Sequence, residues 1–295
     1  MLRDIRELAD SPEEYAAELR RRWGGLLSYR YIGRSYAQMD LGPVDNTVTL
    51  RRDMRDGAGG LLLAVLGIAS PEGGHMSDLE AVPNPVVHSC QILDPGVGVE
   101  RIEIVSEELK RGRQMGYSRS KIVDAANPAR VLALTEGQGI SIGTPPEGLG
   151  RMEANPLEIV DSPELPPLWE VFGARLRTTG HWVLPELTAD VASPDAALHI
   201  GPQFVVLETA AIHRAADVAG TTRLHGVSSH VMFMARGKRG PFRVESEPMT
   251  GAAGAVAVRT MMYDEGAGDR VTTVASHLFR AASRPRGDDD FRRTE

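Results

Sequence analysis

The sequence predicts an α+β protein made of two repeats, each a long apolar helix wrapped by a curved antiparallel sheet. Three observations carry this expectation. Two apolar segments of helical length recur at a fixed offset, strand-and-turn segments follow both of them, and a proline-rich stretch separates the halves. AGGLLLAVLGIAS (58–70) set above HIGPQFVVLETAA (199–211), an offset of 141, matches Gly60 with Gly201, Val65 with Val206, Leu66 with Leu207 and Ala69 with Ala210. The same offset places VVHSCQIL (86–93) over VSSHVMFM (227–234) and Gly96 on Gly237. With a one-residue shift, VDAANPARVLALTEG (123–137) lies over YDEGAGDRVTTVASH (263–277). Three segments in one order at nearly one spacing indicate an internal duplication.

Each element follows from local pattern. A helix apolar on nearly every face has to be wrapped rather than laid on a surface. Alternating segments closed by Asp, Asn, Pro or Gly turns read as strands. In the first half they fall at about 86–93, 100–110, 114–123 and 129–141, and in the second at about 224–235, 241–250, 254–263 and 270–281. The stretch 144–167 carries six prolines and little periodicity, as a linker would. This divides the chain into an N-terminal repeat (1–145), a linker (146–167), a C-terminal repeat (168–283) and a charged tail, RPRGDDDFRRTE (284–295), expected to be disordered.

Composition excludes several functions. The 295 residues hold 33 Lys and Arg against 40 Asp and Glu, a net charge of -7, which argues against a nucleic-acid binder that must neutralise phosphates. The single cysteine, Cys90, cannot form an internal disulfide. No run approaches the roughly 18–20 apolar residues needed to span a bilayer. MLRDIRELADSPEEY is charged throughout, unlike a signal peptide, and a cytoplasmic location is expected.

One residue breaks the pattern. Glu208 sits among Phe204, Val205, Val206, Leu207, Ala210 and Ala211, where an ionised carboxylate is costly unless paired, hydrogen-bonded or protonated. It reads either as a reactive carboxyl or as a structural one paired with a buried Arg or His. The histidines form no metal set. His225 and His230, five apart on a strand, point to opposite faces, and His213, five after Glu208, misses the face shared at three or four. No metal is expected. KRGR (110–113) and RGKRG (236–240) read as solvated loops or as contacts for coenzyme A phosphates.

HIGPQFVVLETAA is similar to the signature of hotdog-fold acyl-CoA thioesterases of the phenylacetate-catabolism type. There a His-Gly-Gly turn opens the central helix, and an acid followed by Thr or Ala stands nine positions after the His. Here His199 to Glu208 is nine positions, and Thr209-Ala210 follows. GRQMGYSRSKIVDAANPARVLALTEG (112–137) resembles the last three strands of that family, so the whole chain resembles a double hotdog. Two departures stand out: Ile200 occupies the place of the first glycine, and Glu replaces the Asp of many relatives.

The resemblance implies hydrolysis of an acyl-CoA thioester, with Glu208 as general base or nucleophile. The N–H groups of Ile200 and Gly201 are then the oxyanion donors, with His199 capping the helix or touching substrate. Gln203 and Thr209 would line the cleft, and a polar residue of the opposite repeat, Asn84 or Ser89, would face it. Gly67 stands for Glu208 in the first repeat and Ala58 for His199, which leaves that site vestigial. Asp56 either caps the first helix or serves a repurposed second site. No cofactor is implied beyond coenzyme A as part of the substrate, and a homo-oligomer of double hotdog chains is left open. The competing readings are a hotdog dehydratase or enoyl-CoA hydratase, and a non-catalytic acyl-CoA binder. Dehydration fits less well, because the first-repeat helix has no His and Asp195 is only four residues from His199.

Overall fold

A computed structural model describes residues 2–8, 11–34, 46–71, 82–112, 114–142 and 157–282. Residues 146–156 of the expected linker and the whole 284–295 tail lie outside them. The first half contains α1 (Pro12–Gly24), α2 (Leu27–Ile32), β1 (Thr47–Thr49), α3 (Leu63–Ala69) and the strands β2 (Val82–Ile92), β3 (Arg101–Arg111), β4 (Met115–Asp124) and β5 (Asn127–Ile142). The second contains α4 (Leu168–Val171), β6 (Arg175–Leu176), β7 (Trp182–Leu184), α5 (Ile200–Ala219), β8 (Leu224–Phe233), β9 (Phe242–Thr250), β10 (Ala255–Asp264) and β11 (Arg270–Ala281).

The strands form one 11-stranded sheet in the order β1-β3-β4-β5-β2-β8-β11-β10-β9-β7-β6. Read outward from the β2–β8 junction, each half repeats one order, β2-β5-β4-β3 on one side and β8-β11-β10-β9 on the other. At the junction Ser89 pairs with His230, 141 residues later, so two matching residues face each other where a two-fold axis would run. The eight long strands lie within a few residues of their expected positions, because each alternates between a helix-facing and an outer side. On β10, Val256, Val258, Thr260 and Met262 are buried against α5, and the residues between them are more exposed.

The helices depart from expectation. α5 is long, 20 residues, and ends at left-handed Gly220 (φ 65°). α3 has only seven residues, all buried. Its start is delayed by a turn at Asp56–Gly60, and its end falls at Ser70, whose helical conformation is disfavoured by Pro71. A two-long-helix core is therefore not what the chain builds; one long and one short helix share the sheet.

α1, α2, α4, β1, β6 and β7 were not anticipated. α1 carried its signals in the sequence, with Ser11 before Pro12, Glu13 and Glu14 in the first turn and Arg21 and Arg22 in the last. The core lies between the sheet and the two central helices, with Val65, Leu66, Val206 and Leu207 fully enclosed, each worth about 2 kcal/mol in transfer terms. Past the undescribed stretch, the chain at 157–167 rests on this core: Leu157 N–H donates to the Arg30 carbonyl, and Ile159 packs alongside. Among the described residues no helix is long and apolar enough to cross a membrane.

Candidate functional site

The start of α5 is closed. His199 caps the helix, its Nδ1 accepting the Gly201 N–H at 3.3 Å and lying 2.9 Å from Ser28 Oγ of α2. Burial pushes the imidazole down to about 3, the positive field of Arg236 adding to this, so the ring is neutral and Nδ1 is free to accept. A Cβ on Gly201 would stand 2.3 Å from Ser28 Cβ, so only glycine lets α2 pack here. Tyr29 closes edge-on against His199 at 5.1 Å. Gln203 is also spent on structure, donating to the Leu198 carbonyl at 2.9 Å and accepting from the Thr273 hydroxyl.

Glu208 lies two turns further along and faces the other half of the protein. Its Oε1 accepts the Leu63 N–H at 2.8 Å and its Oε2 the Ala64 N–H at 2.6 Å, at the start of α3. Its partners are thus backbone amides, and among the described residues no cation pairs with it. Burial pushes its carboxyl up to about 8. The two amide bonds pull the other way, and the charge of Asp56 adds to the rise. The Cys90 thiol, buried nearby on β2, is pushed up by burial and by the Glu208 charge.

Glu208 opens onto a cavity of about 510 Å³ between the halves. Thr209, Ile212 and His213 of α5 share its wall with Asp56 and Ala64 of the first half, and Trp169 and Trp182 close the far side. Trp182 is held edge-on between Trp169 at 5.1 Å and His213 at 5.5 Å. Thr209 Oγ1 donates to the Val205 carbonyl at 2.7 Å. At the rim, Arg52 donates to Asp161 through its backbone N–H and its guanidinium.

Asp56 does not cap α3, which starts behind Leu62 with no side-chain cap bond, but organises the turn ahead of it. Oδ1 accepts the N–H groups of Ala58 and Gly60, both at 2.9 Å, and Oδ2 lies 3.0 Å from His225 Nδ1. A Cβ on Gly60 would stand 2.6 Å from His225 Nδ1 and 2.8 Å from Asp56 Oδ2, which explains the glycine.

The structure therefore divides the expected site. Glu208, Thr209 and Asp56 share one cavity. Ile200, Gly201, His199 and Gln203 belong to the closed start of α5 and do not line it. Asn84 accepts from Arg236 at 2.8 Å, Ser89 bonds His230 at 2.8 Å, and neither lines the cavity. His213 does line it, although spacing set it apart. Five residues turn a helix by roughly 140°, and the cavity wraps far enough around α5 to meet both side chains.

The pairing of the halves is corrected as well. The bridge Arg55–Leu61 matches the bridge Ala192–Leu198, and left-handed Gly59 (φ 87°) matches left-handed Ala196 (φ 55°). Here the offset is 137, so Leu62, not Ala58, answers to His199, and both stand just before a helix. Gly67 answers to Phe204, which it faces at 3.1 Å from its missing Cβ, and Glu208 answers to Pro71. The sheet keeps 141. The difference of four residues is about one helical turn, so an apolar helix pattern fits either register equally well.

No protein-family sequence model matches the chain, and neither does any curated protein sequence. Solved structures do resemble it. A tesB protein of Mycobacterium avium subs paratuberculosis superposes with a TM-score of 0.54 at 11% identity, covering 85% of this chain and 99% of that one. Acyl-CoA thioesterase II TesB2 of Mycobacterium marinum gives 0.53 at 14% identity, covering 85% and 97%. With the symmetric sheet and its enclosed helices, this likeness gives the chain the double hotdog fold of TesB-like thioesterases.

Proposed function

We propose that the chain hydrolyses acyl thioesters in the cavity beside Glu208, with acyl-CoA as the substrate class. The observation that carries the reading is a buried carboxyl held by two amides of the opposite half, at the wall of a largely apolar cavity of about 510 Å³. The apolar wall suits an acyl group, and the names of the structural neighbours point to the same chemistry.

In this reading Glu208, once deprotonated, takes a proton from water as the water oxygen adds to the thioester carbon. The carbonyl oxygen becomes an oxyanion, the C–S bond then breaks, and the thiolate leaves and is protonated, giving acid and thiol. Attack by the carboxylate itself, through an anhydride that water opens, conserves the same atoms. The amides of Leu63 and Ala64 are spent on holding Glu208 and that of Gly201 on His199, so none of these three serves as an oxyanion donor in this reading.

A panel of acyl-CoA thioesters assayed with wild type and Glu208→Ala tests this. Loss of roughly 10²-fold or more is expected. Full activity in Glu208→Ala would reject the site, and tight binding without turnover would favour a binder. A second carboxylate, Asp56, in the same cavity supports one further reading, reversible hydration of an enoyl thioester. Water addition to an enoyl-CoA in the same panel would favour that reading.

A further inference from the structure

Asp56 and Glu208 come from different halves, yet both line one cavity. Glu208 is held at the start of α3, and Asp56 organises the turn that leads into the same helix. Every acceptor position around Asp56 is aimed inward: two amides take Oδ1 and the His225 ring takes Oδ2, with the carboxyl almost wholly buried. We propose that Asp56, locked by His225, is a positioning residue for Glu208: a fixed negative charge in the shared cavity that sets how readily Glu208 gives up its proton.

The other charged or titratable groups around the cavity are committed elsewhere or stand further out. Arg55 donates to the carbonyls of Gly59, Gly96 and Val99, and Arg51 holds Asp53 at 3.2 Å. Arg52 is engaged by Asp161 at the rim. From β2 the facing group is the Cys90 thiol, and from α5 itself it is the exposed His213. Asp56 is therefore the carboxyl left facing the cavity with Glu208, in keeping with its contribution to the upward shift of Glu208. The pairing crosses the two halves, so neither half alone contains it. The role rests on the reading of Glu208 as the working carboxyl of thioester hydrolysis.

The test follows the protonated carboxyl band of Glu208 by infrared titration, identified as the band lost in Glu208→Gln, in wild type and in Asp56→Asn. Asparagine keeps Oδ1 for Ala58 and Gly60 and can donate to the His225 ring in its other tautomer, so the turn is preserved. The midpoint is expected to fall by roughly one pH unit in Asp56→Asn, and the limb of the kcat/KM profile for an acyl-CoA to move with it. In His225→Leu, which removes the ring that bonds Asp56 Oδ2 and puts no donor in its place, the midpoint is expected to rise. An unmoved or raised midpoint in Asp56→Asn overturns the proposal. If that variant does not fold, His225→Leu decides, and anything but a rise overturns it. A purely structural Asp56 would lower stability and leave the midpoint in place. The infrared readout needs no turnover, so an absence of hydrolysis in wild type would reject the thioesterase reading while leaving the coupling of the two carboxyls measured.

Discussion

Replacing Glu208 by Gln should stabilise the protein more as pH rises, even as it removes activity. Glu208 moves from its ordinary value of 4.5 to about 8 on folding, because burial penalises the charged form. A raised carboxyl binds more protons folded than unfolded, so its contribution favours the folded state below pH 4.5 and is lost as pH climbs toward 8. At about 1.4 kcal/mol per pKa unit, the carboxyl costs about 1 kcal/mol at pH 5 and about 3 kcal/mol at pH 7. Glutamine does not titrate. It turns one amide nitrogen toward a backbone N–H and forfeits a bond worth about 1 kcal/mol, a cost independent of pH. The stability difference between Glu208→Gln and wild type should therefore swing by about 2 kcal/mol in favour of the variant between pH 5 and pH 7. Urea unfolding of both proteins across that range measures it. A difference flat with pH would refute the reasoning, since Glu208 would then not be titrating in the window that its burial implies.

Further outcomes test where the chemistry sits. Hydrolysis by wild type should rise with pH and level off above about 8, since only deprotonated Glu208 can act as base, and a limb near 4.5 in kcat/KM would contradict this. Ile200→Pro and Leu63→Pro each delete one amide at the first position of a helix, behind residues already extended (His199 ψ 156°, Leu62 ψ 134°). Both lose a buried side chain and should destabilise alike, but only Leu63→Pro should also lower kcat, because it removes one of the two amides that hold Glu208 in place; equal kinetics in the two would reject Glu208 as the working carboxyl. Gly201→Ala forces a Cβ against Ser28 and should cost about 1–3 kcal/mol, with Ser28→Gly restoring much of it in the double variant.

Local pattern carried much of this protein. The eight long strands were legible because alternation with period two and Asn, Asp, Pro or Gly turns are recorded residue by residue. Glu208 was legible because a carboxyl in an apolar helix is costly wherever that helix packs, while the cap role expected of Asp56 fails because α3 starts seven residues further on, behind Leu62. The end of α3 could have been read from Pro71, which follows its cap residue Ser70. His213 was set aside by a spacing rule that holds for a flat face and fails for a cavity curved around a helix.

What the sequence by itself determined was therefore the eight long strands, the long helix α5 and the acid upon it, since each follows from neighbours along the chain. Tertiary structure alone decided which amides meet that acid. Leu63 and Ala64 lie 145 and 144 residues from Glu208. The four-residue shift between the repeat register of the helices and that of the sheet leaves an apolar helix pattern unchanged, because four residues are about one turn. It also decided that α2 closes the start of α5, through Ser28 against Gly201, and so moved the candidate site to the far side of the junction. An apolar stripe specifies that a helix is buried, while the partner it is buried against is chosen by packing between segments far apart in the chain.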